Sequence, residues 1–135
     1  MASVLKVDEL RGIVSAGDIT VTSEGGAATQ SLQQGLCKCW FVSETLLNSA
    51  NTDEDSLNLS STTDADLGDL RPAYTNIFSN ANYSAMGIQH TSANDVTSTK
   101  YSPNTSSSTR FLNYEPTASV YRDACIGGAL FGDLA

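Results

Sequence analysis

Apolar residues recur along this chain with a period of two over short stretches, and turn residues separate the stretches. Ile19 and Val21 alternate with Thr20 and Thr22, which predicts a short half-buried strand. Glu24-Gly25-Gly26 breaks it, and residues 27–33 read as a polar connector. From Gly35 to Val42, Leu36, Lys38, Trp40 and Val42 fall on one face and Cys37, Cys39 and Phe41 on the other. Both faces are partly apolar, so this strand is expected at the centre of a sheet. Residues 48–55 read as a polar loop, and Ser56 to Ser60 alternates with Leu57 and Leu59 inward. Thr62 to Asp69 reads as a turn-rich loop. Leu70 to Phe78 is extended, with Pro72 demoting its start to an edge. Asn80-Ala81-Asn82 turns into a strand from Tyr83 to Ile88. A polar stretch from Gln89 to Ser108 holds a weak strand near Lys100-Tyr101. Strands over Thr109–Tyr114, Val120–Ala124 and Ile126–Gly132 close the chain.

Helical periodicity is thin. Val4 to Leu10 is the one candidate, and Leu5, Val7 and Glu9 fit a strand equally well. No helix alternates with the strands, which excludes an α/β fold. The expectation is an all-β chain: an antiparallel β-sandwich or jelly roll over residues 31–135, behind a short N-terminal attachment arm over residues 1–30.

Composition narrows the function classes. A chain of 135 residues is one domain, or one domain plus an arm. Fifteen acidic residues stand against seven basic ones, a net charge of −8. That excludes a basic nucleic-acid face and docking on an anionic membrane. Serine and threonine take the place of charge. No run of apolar residues is long enough to span a bilayer, and the first twelve residues lack a signal-peptide core. A protein made and kept without secretion is expected.

Candidate chemistry is sparse. His90 is the single histidine, and only Asp95 lies close to it in sequence, so it is read as a loop residue rather than a general base. Cys37 and Cys39 are read, with Cys125, as small buried apolar residues. With His90 they would make a four-ligand set, but Cys-x-Cys is not the usual zinc spacing. A disulfide to Cys125 stays open. Asp53-Glu54-Asp55 and Asp64, Asp66 and Asp69 are acidic clusters. The twelve-residue calcium loop with its closing glutamate is missing, so both are read as solvated hairpin charge. Asn58, Asn82 and Asn104 head Asn-x-Ser sequons, read as unglycosylated. Tyr74, Tyr83, Tyr101, Tyr114, Tyr121 and Trp40 are platforms on which sugars stack, or else sandwich packing. No catalytic residue, metal or cofactor is assigned.

Several segments resemble a domain of structural proteins from marine phages, those of cyanobacteria and pelagic bacteria among them. Gly35-Leu36-Cys37-Lys38-Cys39-Trp40 is similar to its opening Gly-Leu-Ala-Lys-Ala-Trp, with cysteines for two alanines. Asp55 to Ser61, the Asp64–Tyr74 hairpin, Phe78 with Asn80-Ala81-Asn82-Tyr83, and Gly128 to Asp133 follow in the family's order. Ser3 to Leu10 resembles the start of such fibre proteins, and Arg71-Pro72 departs from the hairpin pattern. The resemblance implies a non-enzymatic virion protein, a short homotrimeric tail-fibre-like knob assembled in the host cytoplasm. Its expected partners are itself, other virion proteins through the arm, and a host-surface glycan. A capsid decoration protein or head fibre is the alternative, then a free carbohydrate-binding module. A small polysaccharide depolymerase stands last, because the pair of carboxylates it needs across a cleft is not evident. Val4, Leu5, Val7 and Leu10 are the expected contacts of the arm, with Trp40 or Phe131 beside the sandwich. Asn51, Asp53, His90, Asn94, Tyr101 and Asn104 are the expected receptor-facing loop residues, in the loops 48–55 and 89–108.

Overall fold

The computed structural model describes residues 5–15, 18–23, 25–44, 52–89, 96–99 and 104–135, with side chains for all of these except 44, 52–54 and 96–99. The chain is all-β with antiparallel pairing throughout, as its period of two predicts. It divides into two compact units, Met1–Leu36 and Cys37–Ala135.

In the first unit, β1 (Thr20–Thr22) and β2 (Thr29–Ser31) form a hairpin in which Val21 pairs with Gln30. Gly26 takes a φ of 71° in the turn, a left-handed conformation that favours glycine. Residues 29–33, expected as connector, are therefore strand and helical turn, and Gly35, expected to open a strand, ends that turn. One helical turn, α1 (Leu32–Gly35), follows directly, and the Ser31 side chain caps it by accepting from the Gln34 N–H. Residues 5–10 are neither helix nor strand, and Val4 lies outside the described residues. Val21 is exposed, not half-buried. None of the described residues between 5 and 36 is buried.

The second unit holds two sheets. In one, β4 (Thr52–Leu57), β3 (Cys39–Glu44), β11 (Cys125–Phe131) and β7 (Ser84–Gln89) lie side by side in that order. In the other, β9 (Phe111–Glu115) pairs with β8 (Val96–Thr99), β10 (Val120–Tyr121) and β6 (Asp69–Tyr74), and β6 pairs with β5 (Leu59–Asp66). The inward faces of both sheets share one core. Cys39, Phe41, Ile126 and Leu130 come from the first sheet, and Leu70, Tyr74 and Phe111 from the second. Phe41 and Phe111 meet edge to face across the gap, with ring centroids 5.4 Å apart. Gly128 on β11 faces this pair, and a side chain there would collide with the Phe41 ring. Phe78 closes one end of the core, stacked on Tyr83 at 4.3 Å.

The two-sided strand is central, as expected: β3 is flanked by β4 and β11. Four expectations need correction. Leu57 is not inward but exposed, whereas Leu59 packs on the core. Asn58 between them adopts φ 61° and passes the chain from one sheet to the other, which resets the alternation. Residues 62–66 are not loop but strand, and the hairpin to β6 closes over Leu67-Gly68 alone. Likewise, the polar stretches expected as loops contain β4 from Thr52 and β8 from Val96, and the expected strand at Lys100-Tyr101 lies outside the described residues. Finally, Pro72 does not mark an edge. Its strand lies between β5 and β9, and Pro72 sits where regular pairing with β9 has already ended at Leu70–Phe111. There its carbonyl accepts from the Thr109 N–H, and the missing proline N–H leaves that pair with one bond.

Candidate functional surfaces

The register fixes which strand ends lie together. Glu44 pairs with Thr52 and with Cys125, and Gln89 pairs with Ile126. The strand ends that flank residues 45–51 and precede residues 90–95 therefore sit together. Asn51, His90, Asn94 and Tyr101 lie outside the described residues. The Asp53 backbone is in β4 opposite Ser43, with its side chain outside them. Asn104 belongs to the opposite end. Its carboxamide oxygen accepts from the Thr109 hydroxyl, and the Tyr83 hydroxyl donates beside it to the carbonyls of Thr105 and Ser108, at 3.0 and 2.8 Å. The structure thus sets Asn104 apart from the strand ends that flank Asn51, His90 and Asn94.

The loop end carries the second acidic cluster, and its members are unlike one another. Burial pushes the Asp64 carboxyl up, helped by Asp123, Asp69 and Asp66, and Asp64 Oδ1 is buried without a hydrogen-bond partner. Asp66 Oδ1 accepts from the Leu67 N–H, and Asp123 Oδ1 accepts from the Gly68 N–H at 2.7 Å. Asp69 is not solvated hairpin charge, as expected, but 1% exposed. Arg110 and Arg71 both donate to it, at 2.8 Å from Arg110 Nε and 2.9 Å from Arg71 Nη2. With both arginines on it, this carboxylate is committed to holding the start of β6 against β9. Among the described residues, no group of His, Cys, Asp and Glu is placed to hold a metal ion.

The cysteines form no disulfide. Cys39 and Cys125 are buried and Cys37 is half-buried. Burial, with the neighbouring Cys37, pushes the Cys39 thiol up to about 12, which keeps it protonated and unreactive. The aromatic residues divide. Tyr74 and Tyr83 belong to the core, their hydroxyls 3.4 Å apart, and burial pushes both phenols up. Tyr114 and Tyr121 pair edge to face across β9 and β10. Asn58 is no free glycan acceptor: its carboxamide donates to the Asn76 carbonyl and accepts from the Asn76 N–H.

Trp40 stands on the outer face of the first sheet, on a surface that the sequence reading left unassembled. The register aligns Leu57, Trp40, Ala129 and Met86 in one row across four strands, and Asp55, Val42, Gly127 and Ile88 in the next. Gly127 and Ala129 on β11 form the floor of an open trough of about 370 Å³, between walls made by Trp40 and Val42 on β3 and by Met86 and Ile88 on β7. Met86 is 56% and Ile88 65% exposed. The alternation from Ala85 to Ile88, large against small, was the available signal. In an amphipathic strand the large members face the core, whereas here Ala85 faces the core and Met86 and Ile88 face outward.

Among the described residues no helix is long and apolar enough to cross a membrane. No family model matches the chain, and neither a curated protein nor a solved structure matches it.

Proposed function

We propose that this chain is a non-enzymatic virion structural protein, a short fibre or knob whose β-rich unit meets the host surface and whose N-terminal unit attaches it to the particle. The observation that carries this reading is the state of the N-terminal unit. Leu5, Leu10, Ile13 and Val14 are 77%, 57%, 103% and 92% exposed, and Val7 is 52% exposed. The described residues of this 36-residue unit bury no side chain, so apolar burial among them does not hold it together. Exposed apolar side chains at this density mark an interaction surface. The resemblance of residues 3–10 and 35–40 to phage fibre proteins supplies the kind of partner, and implies three copies per knob. The stretches 48–55 and 89–108 are the expected receptor-facing residues, next to the strand ends at Glu44, Thr52 and Gln89, with a surface glycan as the partner. Attachment to the tail and attachment to the capsid are both compatible with an apolar arm.

The experiment is incorporation into particles. Full-length chain carrying Leu5→Asp and Val7→Asp is expressed during infection in place of the wild type, and purified particles are probed for it. The expected result is a loss of at least ~10-fold in incorporation with the β-rich unit still folded, since burying two carboxylates in an apolar seat is strongly unfavourable. Undiminished incorporation contradicts attachment through this segment.

A further inference from the structure

The outer face of the β4-β3-β11-β7 sheet has a pattern that fits itself. Across the sheet its side chains run large on β3 (Trp40, Val42), small on β11 (Ala129, Gly127) and large on β7 (Met86, Ile88). A two-fold axis laid along the strands between β3 and β11 exchanges those two strands. It sets Trp40 of one copy over Ala129 of the other, and Val42 over Gly127, each ridge entering the facing trough. Leu57 on β4 then meets Met86 on β7 of the other copy, and the exposed Asp55 at the β4 edge meets Ile88, because the two edge strands exchange as well. Aligned face-to-face packing of this kind is ordinary for sheets, and an isologous contact needs a patch complementary to itself.

Charge leaves this face open to the same occupant. The chain carries −8, so a second copy is repelled over most of the surface. The rows Leu57–Trp40–Ala129–Met86 and Val42–Gly127–Ile88 contain no ionisable side chain, and Asp55 stands only at the β4 edge. Under the two-fold operation the two copies of Asp55 lie three strand spacings apart, ~14 Å. That exceeds the Debye length of about 8 Å at physiological salt. A cationic partner would instead be drawn to the acidic edge and loop end. We infer that this face seats a second copy of the chain, pairing β-rich units back to back through Trp40 and the Gly127–Ala129 trough. The contact goes beyond the proposed function: a two-fold pair cannot close within three copies, so it joins a β-rich unit of one three-copy knob to one of another, whatever the N-terminal segment binds.

The test uses the full chain with Leu5→Asp and Val7→Asp, so that association through the N-terminal unit is removed. Its mass is measured by light scattering over a concentration series, with the emission of Trp40, the single tryptophan, followed in parallel. The expected result is the mass of two chains and a blue shift of Trp40 as concentration rises. Adding Ala129→Glu, or separately Ile88→Glu at an exposed position, weakens the pairing by at least ~10-fold and removes the shift, with circular dichroism unchanged. A monomer at all concentrations, an odd-numbered assembly, or pairing indifferent to both substitutions overturns the inference. If wild type and the Asp variant pair alike, the head contact stands and self-association through the N-terminal unit fails, so the two readings fall separately.

Discussion

Replacing Gly128 by alanine is expected to be among the most damaging single-methyl changes this chain can receive. Gly128 lies on the inward face of β11, opposite Phe41 on β3 and Gly87 on β7. A Cβ built there falls inside van der Waals contact with Cε1 and Cζ of Phe41, and lies 3.2 Å from Cζ of Phe111. Both rings are fully buried, at 1% and 0% exposure, and they hold each other edge to face between the sheets. Neither has solvent to move into, so the methyl group forces a ring off its rotamer or the sheets apart. Overpacking of this kind costs about 3 kcal/mol at its upper range, against a total stability of ~5–15 kcal/mol for a domain. Thermal denaturation of the variant is expected to fall by more than ~10 °C. The diagnostic is the double variant. Phe41→Leu alone is destabilising, but combined with Gly128→Ala it recovers part of the loss, because the residues share one volume. A Gly128→Ala chain that melts within a degree or so of wild type contradicts the packing described.

Removing Arg110 is the second large effect. Asp69 is buried, and its carboxylate is satisfied by Arg110 and Arg71 together. Arg110 is the better covered of the two, with 27% of its side chain exposed against 50% for Arg71. Taking one partner from a buried ion pair leaves an uncompensated charge, which costs about 3 kcal/mol or more when nothing replaces it. Arg110→Met is expected at that level, and Arg71→Met clearly below it, as befits an exposed partner. Acid separates this cause from simple loss of packing. Burial pushes the Asp69 carboxyl up, but the hydrogen bonds and charges of Arg110 and Arg71 outweigh it and hold it below its ordinary value of 3.8. A lowered carboxyl contributes stability that is full above the ordinary value and is lost as pH falls through the folded one. The deficit of Arg110→Met is therefore largest near neutral pH and shrinks as pH falls through the carboxylate range, where protonation of Asp69 removes the unpaired charge. Denaturant titrations across that range measure it. A deficit that stays constant into acid contradicts the assignment to charge.

The elements legible in the sequence are those whose signal is local. Gly35 to Val42 carries apolar residues on both faces, and its part from Cys39 on became a central strand of its sheet. Tyr83 to Ile88, with its preceding Asn-Ala-Asn turn, became β7. The strand over residues 62–66 was hidden because β5 lies at an edge and is paired on one side only, so Ser, Thr and Asp fill it and the period of two carries no apolar mark. Leu57 was misplaced because a single left-handed residue, Asn58, reverses the facing of everything before it. Asp69 was misread because the residue that buries its charge, Arg110, lies 41 positions away. The apolar face is of the same kind: Trp40, Met86 and Ala129 are scattered in sequence and meet only through the register of three strands. Asn104 was grouped with His90 by sequence proximity, yet β8 runs the chain back along the sheet between them.

Incorporation into a virus particle through the N-terminal unit is the proposal on which the rest depends. Quantitative mass spectrometry of purified particles, normalised to the major capsid protein, decides it. The expected result is a fixed, reproducible ratio that survives repeated density purification. A few to some tens of copies per particle would place the chain on the tail, and hundreds would place it on the capsid. Absence from purified particles, with the protein present in the lysate, would overturn the virion proposal and return the β-rich unit to the status of a free binding module.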